Sequence, residues 1–287
     1  MRKIKEFFIE KLILICGLAS ICFVILIFLF LAKVGLAVFK SVTPFNFLFG
    51  KSWYPISEPA QLGILPLIFG SLLVTLGAAI ISIPIGVACA VYIAEIAPLK
   101  IKEILKAGIE LLAAIPSVVL GFIGMVTLVP WLKSTFHLPT GLTALSGAII
   151  LAFMAMPTIV SIAEDALYSV PKSYKEGAFA LGATHWQTIY RVLLPAASSG
   201  IVAAVMLGIG RVIGETMAVM MITGNAAVIP QSILVPVRTL TATIAAEMGE
   251  AVVGSEHYFA LFAIGIVLFI ISFIINVTAD LFLHKRH

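Results

Sequence analysis

The sequence predicts an all-α polytopic membrane protein with six transmembrane helices. Composition is the first ground. Of 287 residues, 61% are hydrophobic and only 11% are charged, and the mean hydropathy is +1.17. A soluble domain is about 45–50% apolar and about 25% charged, so this chain has too little polar surface to meet water. The second ground is that the apolar residues form continuous runs. A membrane β-barrel alternates apolar and polar residues, which these runs do not. Disorder, collagen, coiled coil and a nucleic-acid-binding domain are excluded by the same composition. The third ground is that the basic residues gather between alternate apolar runs.

A bilayer core takes about 20 apolar residues per helix. Six segments meet that length, at 12–32, 67–94, 109–130, 142–163, 191–223 and 258–283, within one permease-like domain covering 1–287. The first run is too long for the apolar core of a signal peptide, and no A-x-A cleavage site follows it. It is therefore expected to be a retained helix. Twelve basic residues fall on one side: Arg2, Lys3, Lys5, Lys11, Lys100, Lys102, Lys106, Lys172, Lys175, Arg191, Lys285 and Arg286. Four fall on the other: Lys40, Lys51, Lys133 and Arg238. The positive-inside rule then places both termini in the cytoplasm. The net charge of +4 is thus a topology signal, and no nucleic-acid partner is needed to explain it.

The first and sixth helices are rich in Leu, Ile and Phe and are expected at the periphery. The fifth carries Gly200, Gly208, Gly210 and Gly214 among alanines and serines. Small residues let backbones approach closely, and Gly210 with Gly214 forms a G-x-x-x-G pair. Pro84, Pro116 and Pro157 fall inside other spans, where each removes a backbone donor. Such breaks either border a cavity or have no special role. The outer stretch 224–257 is fairly apolar, but Pro230, Pro236, Arg238, Glu247 and Glu250 disfavour a full span. A re-entrant or interfacial segment is the alternative. Trp53 is expected to anchor at the membrane interface, with docking of an external protein as the alternative, Glu95 to be interfacial and Glu110 structural. The three cysteines lie in apolar runs without disulfide or C-x-x-C spacing, and the histidines lack metal-ligand spacing.

Between the fourth and fifth spans, 171–190 predicts two short helices on the cytoplasmic surface joined by a tight turn. Pro171 suits a first helical turn, and Gly182 suits a helix end that needs positive φ. The loop carries Glu176-Gly177-Ala178, three residues, Gly182, nine residues, then Val192-Leu193-Leu194-Pro195. This resembles the cytoplasmic signature of ABC importer permeases: E-A-A, three residues, G, nine residues, I-x-L-P. Gly177 takes the second slot of that triplet, the first Ala, and Val192 replaces the Ile. The resemblance implies a type I ABC importer permease fold, with these helices seated in a groove of the ATPase. Glu176, Gly177, Ala178 and Gly182 are then the candidate coupling residues. No G-x-x-x-x-G-K-[ST] loop occurs, so the ATPase is expected on a separate chain. On this reading the chain binds no cofactor itself, and ATP and Mg are used by the partner.

In the fifth span, Arg211 lies near the middle of the expected helix. An intramembrane charge costs at least about 2.5–3.5 kcal/mol and usually marks a pathway. Glu215 is four positions on, which puts both side chains on one helical face. Either they form a structural bridge, or Arg211 is a transient anion site that Glu215 neutralises in a closed state. The stretch 210–219, Trp53-Tyr54-Pro55, the stretch 109–119 around Pro116, and 241–251 resemble permeases of the PstC-type phosphate importers. That resemblance implies phosphate uptake with a PstA-like second permease, two PstB-like ATPases and a PstS-like external binding protein. Sulfate or molybdate import keeps the cytoplasmic signature without requiring the Arg211/Glu215 pair, and a six-helix secondary transporter needs neither.

Overall fold

The computed structural model describes residues 2–284, with side chains described from 9 to 278. Among the basic residues that set the expected orientation, the side chains of Arg2, Lys3 and Lys5 and all of Lys285 and Arg286 lie outside the described residues. The chain opens with α1 (Arg2–Gly35), a 3-10 turn at Leu36–Lys40, and α2 (Pro44–Phe49), capped by the Thr43 hydroxyl on the Asn46 N–H. A hairpin of β1 (Trp53–Tyr54) and β2 (Gln61–Leu62) pairs Trp53 with Leu62. Then comes α3 (Leu65–Val91), which carries Pro84 within it and runs on through a π-turn at Tyr92–Ile96.

The third span departs from the expected 109–130. The chain forms α4 (Leu99–Ala114), breaks at Ile115 and Pro116, and continues as α5 (Ser117–Ile123), a π-turn at Gly124–Leu128 and α6 (Val129–Thr135). Pro116 is the cause. It lacks a backbone donor and drives the preceding Ile115 to an extended ψ of 125°. The stretch apolar and long enough to cross a membrane is therefore Ser117–Thr135. Helix α4 is amphipathic instead: Leu105 and Ile109 pack against the body while Leu99, Ile104 and Leu111 are exposed.

Helix α7 (Ala144–Tyr168) starts at a reciprocal capping box between Thr143 and Ser146 and keeps Pro157 inside it. It is the most buried helix of the molecule. Next come α8 (Lys172–Ala180), α9 (His185–Thr188), a π-turn at Ile189–Leu193, α10 (Leu194–Ala196) and α11 (Ser198–Ile213). The sequence treats 191–223 as one helix. The structure breaks it twice. Near Pro195 and Ala197 the chain bends by 70°, and at Gly214 to Thr216 it leaves helical geometry before α12 (Met217–Ile222). A loop, α13 (Leu240–Glu247) and α14 (Glu256–His284) complete the chain. Among the described residues, five helices are long and apolar enough to cross a membrane, and the bent pair brings this to six if it forms one span.

The core lies where α3, α7, α11 and α12 meet, around Val74, Leu151, Ile159, Val212 and Ile222. Ile159 is clamped between two helices by missing side chains. A Cβ at Gly86 would lie 2.8 Å from Ile159, and one at Gly208 would lie 2.5 Å from it. Gly210 meets nothing within 4 Å, so the G-x-x-x-G pair does not pack helices within this chain. From Ile9 to Phe30, helix α1 shows lipid-like exposure, and it touches α14 through the Phe28–Phe269 and Phe30–Phe262 ring pairs.

Candidate functional site

The loop after α7 builds two short helices from local chemistry. Helix α8 has Pro171 as its N-cap. Its end is a Schellman turn: the Ala183 N–H donates to the Ala178 carbonyl at 3.0 Å and the Gly182 N–H to the Phe179 carbonyl at 2.9 Å. Gly182 has φ +82°. A Cβ there would meet nothing within 4 Å, so within this chain the glycine answers a backbone demand and not a steric one. Thr184 and Gln187 then cap α9 reciprocally. Glu176 and Gly177 are exposed and Ala178 is buried. Around them Leu181, Trp186 and Tyr190 stand 90%, 67% and 75% exposed. Large apolar side chains left open beside charged ones mark an interaction surface.

This pair of helices is tied to the helical body by charge. Lys175 of α8 forms an ion pair with Glu95, in the π-turn that follows α3. Nearby, Glu164 of α7 is 2% exposed and meets Lys106 at 3.0 Å and Lys102 at 3.4 Å. Lys102 also donates to the Tyr168 hydroxyl and lies 3.9 Å from that ring's centre. Burial works to lower the Lys102 pKa, but Tyr168 and Glu164 outweigh it and hold the ammonium above its usual value. These links staple α4 to the end of α7 that leads into α8. Sequence reading noted the lysines only as a topology signal.

Arg211 lies in the last turn of α11, where its charge opposes the negative end of the helix dipole. Its side chain is exposed. No ion pair joins it to Glu215 among the described residues, and the shared helical face does not exist. The helix stops at Ile213 with Gly214 as C-cap. Glu215 turns forward, its Oε1 accepting the Ala218 N–H at 3.1 Å at the start of α12. Its backbone carbonyl accepts the Thr241 hydroxyl of α13 at 2.9 Å. A short anionic side chain that can satisfy an orphan helix donor competes with the continuous helix. The i,i+4 rule fails here for that reason.

The stretch 224–257 folds against the body as neither a span nor a free loop. Gly224 bridges Val237 in parallel. The Leu240 N–H, at the start of α13, donates to the Ser71 hydroxyl of α3 at 2.9 Å, and a Cβ on Gly70 would lie 2.3 Å from the Arg238 carbonyl. At the other end of α13, Glu247 collects Trp53, Arg238 and His257. Trp53 is 2% exposed, so it is no membrane-interface anchor. This cluster lies by the start of α3, and Lys175 contacts the π-turn that follows its end. With 27 residues at about 1.5 Å each, α3 separates the two by about 40 Å. No residue set with metal-ligand geometry occurs among the described residues.

Comparison with known proteins places this geometry. The family model described as "Binding-protein-dependent transport system inner membrane component" matches residues 82–286. A Bacillus subtilis protein named probable ABC transporter permease YqgH is 42% identical, over 95% of this chain and 89% of its own. The phosphate transport system permease PstC of Mesorhizobium japonicum is 36% identical, over 88% and 84%. Among solved structures, a permease chain of a bacterial alginate importer superposes with TM-score 0.65 at 16% identity, over 99% of both chains. A chain of the methionine transporter MetNI gives 0.61 at 21%, over 80% of this chain and 99% of that one. The fold is that of type I ABC importer permeases, and in such systems a separate subunit carries the ATPase activity. The chain belongs to the family of inner-membrane components of binding-protein-dependent transport systems, as a multi-pass permease subunit of an ABC importer.

Proposed function

We propose that this permease carries inorganic phosphate into the cytoplasm, with both termini on the cytoplasmic side. The observation that supports phosphate most is Arg211: an exposed guanidinium without an ion partner among the described residues, in a chain whose relatives include phosphate permeases. A guanidinium offers five donors in a planar fork that suits phosphate oxygens. On this reading the partners are a PstA-like second permease, two PstB-like ATPases that use ATP and Mg, and a PstS-like external binding protein. Arg211 receives the anion where the two permeases face each other. Glu215 borders that point and sets where α12 begins. Glu176, Gly177, Ala178 and Gly182 present α8 to the ATPase, and Lys175 passes its displacement to α3 through Glu95.

The test is uptake of labelled phosphate, sulfate and molybdate into vesicles holding the full complex. ATP-dependent uptake of phosphate alone is expected. Uptake of sulfate or molybdate in preference to phosphate would refute the substrate assignment and leave the permease assignment intact.

A further inference from the structure

Beside β1 and the end of α13 lies a cavity of about 530 Å³, lined among others by Trp53, Arg238, Glu247, Glu250 and His257. Arg211 and the α8 residues do not line it, and α13 connects it at its far end, through Thr241, to the Glu215 carbonyl. Of the cavity's two carboxylates, Glu247 is surrounded by donors from three separate elements. The Trp53 indole N–H reaches the Glu247 oxygens at 3.0 and 3.2 Å. Arg238 pairs with Oε1. His257 Nε2 lies 2.9 Å from Oε2. Arg238 is held in place, its Nε donating to the Asn225 carbonyl at 3.0 Å and its backbone pressed on Gly70. The Asn225 Oδ1 is buried with no partner among the described residues.

A planar guanidinium, an indole N–H and an imidazole converging on one point form a preorganised oxyanion receptor. Here the chain's own carboxylate fills it. We propose that Trp53, Arg238 and His257 form a second anion subsite, for hydrogenphosphate, at the end of the permease opposite the coupling helices. Glu247 occupies that subsite at rest and yields it to the incoming anion. The cavity beside it has room for an ion of this size. Hydrogenphosphate carries one proton, so it can accept from the three donors and also donate to Glu247 or Glu250. Sulfate at neutral pH has acceptors only and faces two carboxylates without a proton to share. The subsite therefore discriminates by protonation, and the resident Glu247 keeps binding weak enough for passage onward.

The inference rests on the oxyanion reading above, but its test measures binding and not transport. The full chain is purified with Trp131→Phe and Trp186→Phe, which leaves Trp53 as its one indole. Inorganic phosphate or sulfate is then titrated while Trp53 emission is followed. Phosphate is expected to give a weak saturable change and sulfate none. Glu247→Gln keeps the shape without the charge, and should bind phosphate about 10-fold more tightly and begin to respond to sulfate. Arg238→Gln should abolish the response. If that variant does not fold, Arg238→Lys takes its place, with binding weakened about 10-fold for loss of the fork. Absence of any phosphate response in both the parent and Glu247→Gln overturns the subsite, as does an undiminished response in the Arg238 variants. A sulfate response equal to that of phosphate in the parent overturns the selectivity. An intact phosphate response in a chain whose complex does not transport phosphate would refute the transport reading and leave the subsite standing.

Discussion

Replacing Gly182 separates backbone geometry from contact at the turn between α8 and α9. Gly182 sits at φ +82°, and a Cβ would meet nothing within 4 Å. Any cost within this chain is therefore conformational. A left-handed backbone costs a non-glycine residue about 1–2 kcal/mol, and a strained β-branched residue up to about 3 kcal/mol. Asn is the best tolerated substitute at this position of a helix end. At 1.4 kcal/mol per tenfold, Gly182→Val should lower the population of the native turn by up to about 100-fold, and Gly182→Asn should lower it far less. The two hydrogen bonds that close α8, from Gly182 to Phe179 and from Ala183 to Ala178, report this directly. Their amides should exchange much faster in Gly182→Val and nearly normally in Gly182→Asn. In vesicles bearing the whole transporter, Val should reduce phosphate moved per ATP hydrolysed without loss of membrane insertion, and Asn should retain most of it. Equal exchange and equal coupling in the two variants would refute the conformational argument. Failure of Asn alongside Val would show that the ATPase, and not the backbone, excludes a side chain there.

Three further outcomes are expected. Glu95→Lys or Lys175→Glu should each lower coupling while sparing insertion, since a partly exposed pair contributes no more than about 1 kcal/mol to folding; the double exchange should recover coupling, measured as uptake per ATP. Arg211→Gln should abolish phosphate uptake while the ATPase still copurifies, and Arg211→Lys should restore little because it lacks the planar fork; full uptake by Arg211→Gln would remove Arg211 from the pathway. A cysteine placed within 51–58 should react with an impermeant thiol reagent from outside and one beside Lys102 should not, and the reverse pattern would invert the orientation.

Much of the loop at 171–190 was legible because its determinants are local. Pro171 and Gly182 act on backbone within a turn of themselves, so spacing along the chain carries their meaning. The six apolar runs are legible for a similar reason, since partition into a bilayer depends on a window of consecutive residues. The breaks were less so. Pro116 announces one, but an apolar average over 109–130 hides that α4 is amphipathic and only Ser117–Thr135 is long and apolar enough to cross a membrane. At Glu215 the helical pattern continues in the sequence, while the carboxylate's bond to Ala218 and the carbonyl's bond to Thr241 stop it in the fold.

By itself, then, the sequence determined a helical membrane protein and a surface turn of defined ends, because hydrophobicity and helix capping act between near neighbours. Only the tertiary structure decided that Trp53 would be buried on Glu247, 194 positions away, that Glu95 would hold Lys175, and that Glu164 would be buried between two lysines. Buried carboxylates are stable only when donors surround them, and which donors arrive depends on how distant helices pack. In this protein Gly70, Gly86 and Gly208 set that packing by letting backbones close to within a missing side chain.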